Sequence, residues 1–247
     1  MTTPTVSVVI PVHDDADELR ECLRLLALQT VAPLEVVVVD NGCTDDSAAV
    51  AAAAGARVVV EPRLGIPPAA AAGYDAATGD VIARLDADSR PGPDWIARVA
   101  GAMADPEVDA VTGAGWFHDL PPVLGRIATV AYLGAYYVLT YLALGHHPLW
   151  GSSMAIRRTS WERVRDRVHR FDDVHDDMDL AFALGPESVI RYDRALRLGV
   201  SGRSVRGRKQ LARRMDRAVT TLRLNWAERP PWKRWQDRFR PRHVTGG

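Results

Sequence analysis

The sequence predicts an α/β protein, a parallel sheet with helices on both faces. Two observations carry that reading. Short apolar runs alternate with segments of helical periodicity through the first 115 residues. The carboxyl ends of these runs carry polar, mostly acidic clusters, where sheets of this kind bind ligands. Length and composition agree. The chain has 247 residues, 47% hydrophobic and 25% charged, which suits one large α/β domain or two small ones and excludes wholesale disorder or a collagen-like chain.

Val6–Val12 is a continuous apolar run and reads as a buried strand. Asp15-Ala-Asp-Glu18 then offers a capping box, and Leu19, Cys22, Leu23 and Leu26 recur at helical spacing through Leu28. Glu35–Asp40 is a second strand, followed by a turn at Asn41-Gly42 and a helix from about Asp45 to Ala54. Arg57–Glu61 is a third strand and Pro68–Ala77 an alanine-rich helix. Val81–Leu85 is a fourth strand, ending at Asp86-Ala-Asp88, and Pro93–Met103 a helix opened by proline and aspartate.

The second half is less regular. Val123–Leu144 is apolar but for Arg126, Thr129 and Thr140, and its last 18 residues carry no charge, the lower edge of a membrane span. A core helix, a spanning helix and a membrane-surface helix all fit its length. Tyr132, Tyr136, Tyr137 and Tyr141 put hydroxyls through its middle, which favours a core or interfacial helix over a span. From Arg203 a basic segment carrying Trp226, Trp232 and Trp235 reads as helix to about Ala227, where Pro230-Pro231 breaks it.

The net charge of zero conceals a polarised chain. Residues 1–90 carry 14 acidic against 6 basic side chains, and residues 201–247 carry 14 basic against 3 acidic. Strand-end carboxylates account for much of the acidic half: His13-Asp14-Asp15, Asp40-Asn41 and Asp86-Ala-Asp88. Two carboxylates at i and i+2 leaving a strand point the same way, so one hard divalent cation can be held near both Asp86 and Asp88. Such a cation bridges carboxylate and diphosphate and neutralises a departing phosphate. A P-loop, a dinucleotide-binding glycine motif and an H-E-x-x-H motif are absent, which removes kinase, dehydrogenase and zinc-protease readings.

In this context the chain resembles the family 2 glycosyltransferases, inverting enzymes of the GT-A fold, from about Val6 to Arg203. Five segments carry the resemblance in order: Ser7-Val-Val-Ile-Pro-Val-His-Asp14, Glu35-Val-Val-Val-Val-Asp-Asn-Gly-Cys-Thr-Asp45, Thr78-Gly-Asp-Val-Ile-Ala-Arg-Leu-Asp-Ala-Asp88, Gly151-Ser-Ser-Met-Ala-Ile-Arg157 and His175-Asp-Asp-Met-Asp-Leu180. The resemblance implies a Rossmann-like, mostly parallel mixed sheet flanked by helices. It divides the chain into a catalytic domain over 1–205, with a nucleotide-sugar half (1–115) and an acceptor half (116–205), and a basic helical tail over 206–247. Asp40 would contact the nucleobase, with Pro11, His13, Asp14 and Asn41 shaping that pocket. Asp88, assisted by Asp86, would hold Mg²⁺ or Mn²⁺ on the diphosphate. Gly151 and Ser152 would lie near the sugar, and Arg203 and Arg206 would close over the diphosphate. Asp177, ahead of Asp176, would be the general base on the acceptor hydroxyl.

Some positions depart from the family pattern. Ala69-Ala-Ala-Ala72 stands where members often carry Ala-Arg-Asn, so a contact made by that arginine must come from elsewhere, with Arg63 and Arg84 as candidates. Cys43 replaces the usual serine and reads as an inert small residue. His146-His147 reads as a loop near the site, with a substrate contact as the alternative.

The expected activity is therefore transfer from a nucleoside-diphosphate sugar to an acceptor hydroxyl or phosphate. The apolar tyrosine-rich segment and basic tryptophan-bearing tail suggest a lipid-linked or membrane-surface acceptor. A nucleotidyltransferase acting on sugar phosphates and a non-catalytic binding module of the same fold are the alternatives. Nucleic acid is not an expected partner, because the tail lacks a binding motif and the acidic half repels phosphates. Two cysteines without disulfide or zinc spacing, and an N-terminus without a signal peptide, lead to the expectation of a cytoplasmic protein, peripheral at the inner face of the membrane.

Overall fold

The computed structural model describes residues 3–205 and 208–239. Its strands are β1 (Val6–Val12), β2 (Glu35–Asp40), β3 (Arg57–Val60), β4 (Val81–Arg84), β5 (Arg90–Pro91), β6 (Ala110–Phe117), β7 (Met154–Arg157) and β8 (Ile190–Val200). They form one sheet in the order β3-β2-β1-β4-β7-β6-β8-β5. The half formed by β3, β2, β1 and β4 is parallel. β7 runs antiparallel to both β4 and β6, and β8 returns parallel to β6. The mostly parallel mixed sheet expected from the sequence is the one observed.

The helices are α1 (Ala16–Ala27), α2 (Ser47–Ala53), α3 (Ile66–Ala76), α4 (Trp95–Ala102), α5 (Pro122–Leu144), α6 (Arg158–Val164), α7 (Asp176–Leu184), α8 (Arg208–Glu228) and α9 (Pro231–Arg238). Val8, Val9 and Ile10 of β1 are fully buried, which is why that strand reads as an unbroken apolar run. On one face α1 contributes Leu19, Leu23 and Leu26; on the other α3 comes so close that a Cβ on Gly73 would overlap Val9. The alanine run of α3 is thus a packing requirement, since larger side chains would lift the helix off β1 and β2.

The capping box expected at Asp15–Glu18 does not form. Asp15 makes no side-chain cap, and both carboxylates are drawn to arginines instead: Asp15 to Arg203 and Glu18 to Arg90. The Ala16 N–H is capped from another loop, by Asp45 Oδ2 at 2.9 Å. An arginine's charge-assisted pair outcompetes a local cap.

The long apolar segment forms a 23-residue helix, α5, but its most apolar stretch is only 22% buried, so it lies on the surface. The basic tail is docked on the body. Trp226 Nε1 donates to Ala143 O at 3.3 Å, and the buried Arg234 donates to Leu144 O at 2.9 Å and Phe182 O at 3.1 Å. Those two carbonyls close the ends of α5 and α7, where helix dipoles favour a cation. Burial holds Arg234 down at about 10.

Glu35 ties β2 to the turn before β4. It accepts hydrogen bonds from the Thr78 N–H (2.8 Å), the Thr78 hydroxyl (2.7 Å) and the Ser7 hydroxyl (2.8 Å), and pairs with Arg57 at 2.6 Å. Burial opposes its charge, but the Thr78 and Arg57 hydrogen bonds outweigh that and hold its carboxyl at about 2 instead of 4.5. Because the folded value is the lower one, this stabilisation is complete above pH 4.5 and is lost as pH falls towards 2. Glu35→Gln should cost about 1–3 kcal/mol in urea unfolding at pH 7, with the gap to the parent protein narrowing steadily below pH 4.5.

Candidate active site

The carboxyl end of β4 carries a buried cation. Arg84 is 3% exposed, and its guanidinium donates from Nη1 to Asp176 and from Nη2 to Asp86 Oδ1 at 3.0 Å. Asp86 follows β4 in the chain, while Asp176 opens α7. Burial opposes the arginine's charge, but the carboxylates of Asp176, Asp86 and Asp177 restore it, so the guanidinium stays protonated. Burial, reinforced by the charges of Asp177 and Asp86, pushes the Asp176 carboxyl up against the pull of Arg84. Arg84 Nε and the Tyr74 hydroxyl are buried without a hydrogen-bond partner among the described residues. Arg84 is thus engaged inside the protein, whereas Arg63, the other candidate for a nucleotide contact, is an exposed side chain paired with Glu61 at 2.9 Å.

After Arg84 the chain turns instead of continuing extended, with Ser89 N–H donating to Asp86 O at 3.0 Å. Asp86 and Asp88 nevertheless both line one cleft. Ser152 Oγ donates to Asp86 Oδ2 at 2.6 Å. Asp88 faces Arg203, whose Nε donates to its Oδ2 at 3.2 Å. Arg203 lies on the short 3-10 turn Gly202–Val205 after β8, and also grips Asp15 with both Nη atoms. Asp86 and Asp88 still feel one another: burial first, and then the Asp86 charge, push the Asp88 carboxyl up. Arg206 lies outside the described residues.

Asp177 stands at the amino end of α7 with both oxygens fixed by backbone donors. Gly151 N–H reaches Oδ2 at 2.8 Å and Met178 N–H reaches Oδ1 at 2.7 Å. Gly151 is required twice here, since a Cβ on it would overlap the Arg84 guanidinium. The adjoining His175 is held by the tail: its N–H donates to Thr221 Oγ1 at 2.9 Å and its Nε2–H to Arg214 O at 3.0 Å, both on α8. Beside Asp86 and Asp88 opens a small cleft of about 50 Å³, lined also by Trp116, Tyr132, Trp150 and Arg214 among others.

The loops after β1 and β2 lie beside this cleft and brace one another. His13 Nδ1–H donates to Asn41 O at 2.8 Å, and Asp14, at a left-handed φ of 50°, accepts from Thr44 N–H at 2.6 Å. Asp40 Oδ1 accepts from Cys43 N–H at 2.8 Å. Asn41 is buried and fully engaged, donating to Glu61 O and Arg63 O and accepting from Gly65 N–H, each at 2.8 Å. Pro11, next to last in β1, lies opposite Val39. Burial pushes the Cys43 thiol up, which keeps it unreactive. His146 is buried under the tail beside Arg234, with burial holding it at about 3, and His147 lines a separate groove along α5.

Arg214 was not singled out by sequence reasoning. It reaches the cleft, where Nη1 donates to the Tyr132 hydroxyl and the guanidinium lies over that ring. No local signal separates it from Arg213 and Arg217, which both bind Asp172.

Comparison with known proteins places the family and the fold. The profile of glycosyl transferase family 2 matches residues 7–165. An uncharacterized glycosyltransferase of Mycobacterium tuberculosis strain H37Rv is 33% identical over 203 residues, which cover 82% of this chain and 75% of that protein. The undecaprenyl-phosphate 4-deoxy-4-formamido-L-arabinose transferase of Klebsiella pneumoniae is 40% identical over 116 residues, 43% of this chain and 35% of that protein. Among solved structures, glucosyl-3-phosphoglycerate synthase from Mycobacterium tuberculosis in complex with Mn²⁺, uridine-diphosphate-glucose and phosphoglyceric acid superposes with a TM-score of 0.67. It is 20% identical, and the match covers 91% of this chain and 80% of that one.

Substituting Gly151 tests the cluster. Gly151→Ala should cost about 1–3 kcal/mol in thermal unfolding, because the new methyl group must push Arg84 off its carboxylates. Gly101→Ala, in α4 with no neighbour within 4 Å of an added Cβ, should be neutral or slightly stabilising.

Proposed function

The chain belongs to glycosyl transferase family 2, and from that premise we propose that it is an inverting, metal-dependent enzyme. It moves a sugar from a nucleoside-diphosphate sugar to a hydroxyl or phosphate of a lipid-linked acceptor. The observation that carries this reading is the pairing of two acidic groups through one buried arginine: Asp86 and Asp88 after β4, and Asp177 beside the Arg84-bound Asp176. Inversion by single displacement needs a base on the acceptor side and charge neutralisation on the leaving side, and these two acidic groups supply both roles.

The donor set suits a divalent cation. Asp86 and Asp88 are hard oxygen ligands, and their mutual repulsion in a buried setting is what a cation relieves. Asp88, with Asp86 behind it, would hold Mg²⁺ or Mn²⁺; when bound, the ion neutralises charge on the departing diphosphate. Mn²⁺ and Mg²⁺ accompany uridine diphosphate in glucosyl-3-phosphoglycerate synthase, which supports this choice and makes uridine nucleotides the first to test. Arg203 neutralises Asp88 and Asp15 and stands ready to move onto the diphosphate. Asp40, with Pro11 and His13, is the nucleobase contact.

Asp177 is the general base. Its carboxylate is oriented by two backbone N–H groups and keeps lone pairs for the acceptor proton. Asp176 is a positioning residue, since Arg84 engages it inside the protein. The surface position of α5 supports a lipid-linked acceptor, as do relatives named for transfer to undecaprenyl phosphate. The enzyme is accordingly a cytoplasmic protein, peripheral at the inner face of the membrane.

A panel of nucleotide sugars with Mn²⁺, read as a shift in melting temperature, tests the donor site. One nucleotide class should stabilise the protein, and Asp88→Ala should remove the effect. Asp177→Asn should keep the stabilisation and lower transfer by about 100-fold or more. Transfer at the parent rate would exclude Asp177 as the base.

A further inference from the structure

Three of the four tyrosines of α5 turn their hydroxyls inward. Tyr136 donates to Leu149 O and Tyr137 to Gly113 O, each at 2.5 Å, and the Tyr132 hydroxyl accepts from Arg214. Tyr141 lines the groove along α5. Apart from Arg126 near the start of the helix, the exposed large side chains are apolar: Val123, Leu124, Ile127, Val130, Val138, Leu139 and Leu142 are all more than half exposed.

This groove, of about 710 Å³, is walled by Val130, Tyr137 and Val138 of α5 and by Tyr192 of β8. Gly134 leaves it open, because an added Cβ there would meet nothing within 4 Å. The groove adjoins the catalytic cleft, with Thr129 and Leu133 lining both. Cations stand at the two ends of interest: Arg214 in the cleft and Arg194 on the groove.

We propose that this groove holds the hydrocarbon chain of the acceptor, a long-chain lipid phosphate whose head group enters the cleft beside Arg214. The proposal rests on the lipid-linked acceptor inferred above and adds where the chain lies. A chain seated there leaves the bilayer along α5, and its phosphate reaches the cleft past Leu133. The adjacency of groove and cleft, which share Thr129 and Leu133 as walls, favours this occupant over a second copy of the protein, which would cover the face of α5 without entering the cleft.

Alkyl phosphates of increasing length, free in solution below their micelle concentrations, are the probe, and calorimetric titration gives the affinity. Binding should tighten about threefold for each added methylene until the groove is filled. Gly134→Leu should flatten that dependence and weaken the longest probe at least tenfold, with a thermal melt verifying the fold. Affinity independent of chain length in the parent protein would overturn the proposal, as would a length dependence unchanged in Gly134→Leu. So would a stable dimer that Val138→Glu dissociates, because a second copy would then occupy the face. Nucleotide-sugar stabilisation measured in the same samples separates the outcomes. If it persists while chain length has no effect, only the groove assignment fails; if it is absent too, the glycosyltransferase reading fails.

Discussion

One buried guanidinium organises the site. Arg84 ends β4 inside the protein, bonded to Asp86 a turn away and to Asp176 at the start of α7. A cation so deeply buried is strongly unfavourable alone, and becomes tolerable only with carboxylates at hydrogen-bond distance. The same need fixes the carboxylates, which would repel one another without it. Gly151 must lack a side chain for Arg84 to fit, and its N–H in turn orients Asp177. The Asp86–Asp88 turn and Asp177 are thereby set in one frame.

A second layer holds that frame from outside. Arg203 bridges Asp88 and Asp15, joining the turn after β8 to those after β4 and β1. The tail adds α8, which supplies Thr221 and a carbonyl to His175, and α9, which inserts Arg234 beneath the ends of α5 and α7. The basic tail is therefore packed onto the α/β body, with Arg213 and Arg217 on Asp172, Arg234 at two helix ends and Arg214 in the cleft. Charge polarity along the chain becomes charge contact in space.

The fold was legible because burial on both sheet faces writes itself as continuous apolar runs; β1 and β2 were delimited to the residue. The strand-end aspartates were legible too, since acidic clusters at such ends have few structural uses. What escaped was long-range pairing. Arg84 and Asp176 are 92 positions apart, and Arg203 and Asp15 are 188 apart. No local pattern announces such partners, so a capping box was expected where Asp15 instead binds an arginine. Nor does the sequence show the turn after β4, which brings Asp86 and Asp88 to one cleft without an extended chain. The tyrosines of α5 were visible in the sequence, but not the inward hydrogen bonds that leave its outer face apolar.

The central claim is that Arg84 and Asp176 act as one unit. A double-mutant cycle of Arg84→Met, Asp176→Asn and the combined variant, measured by urea unfolding at pH 7, tests it most directly. Each single change should destabilise by about 3–5 kcal/mol, because it strands a buried charge, and the double variant should recover at least about 1 kcal/mol relative to the sum. Single effects that add to within about 0.5 kcal/mol would contradict the account, since the two residues would then be independent.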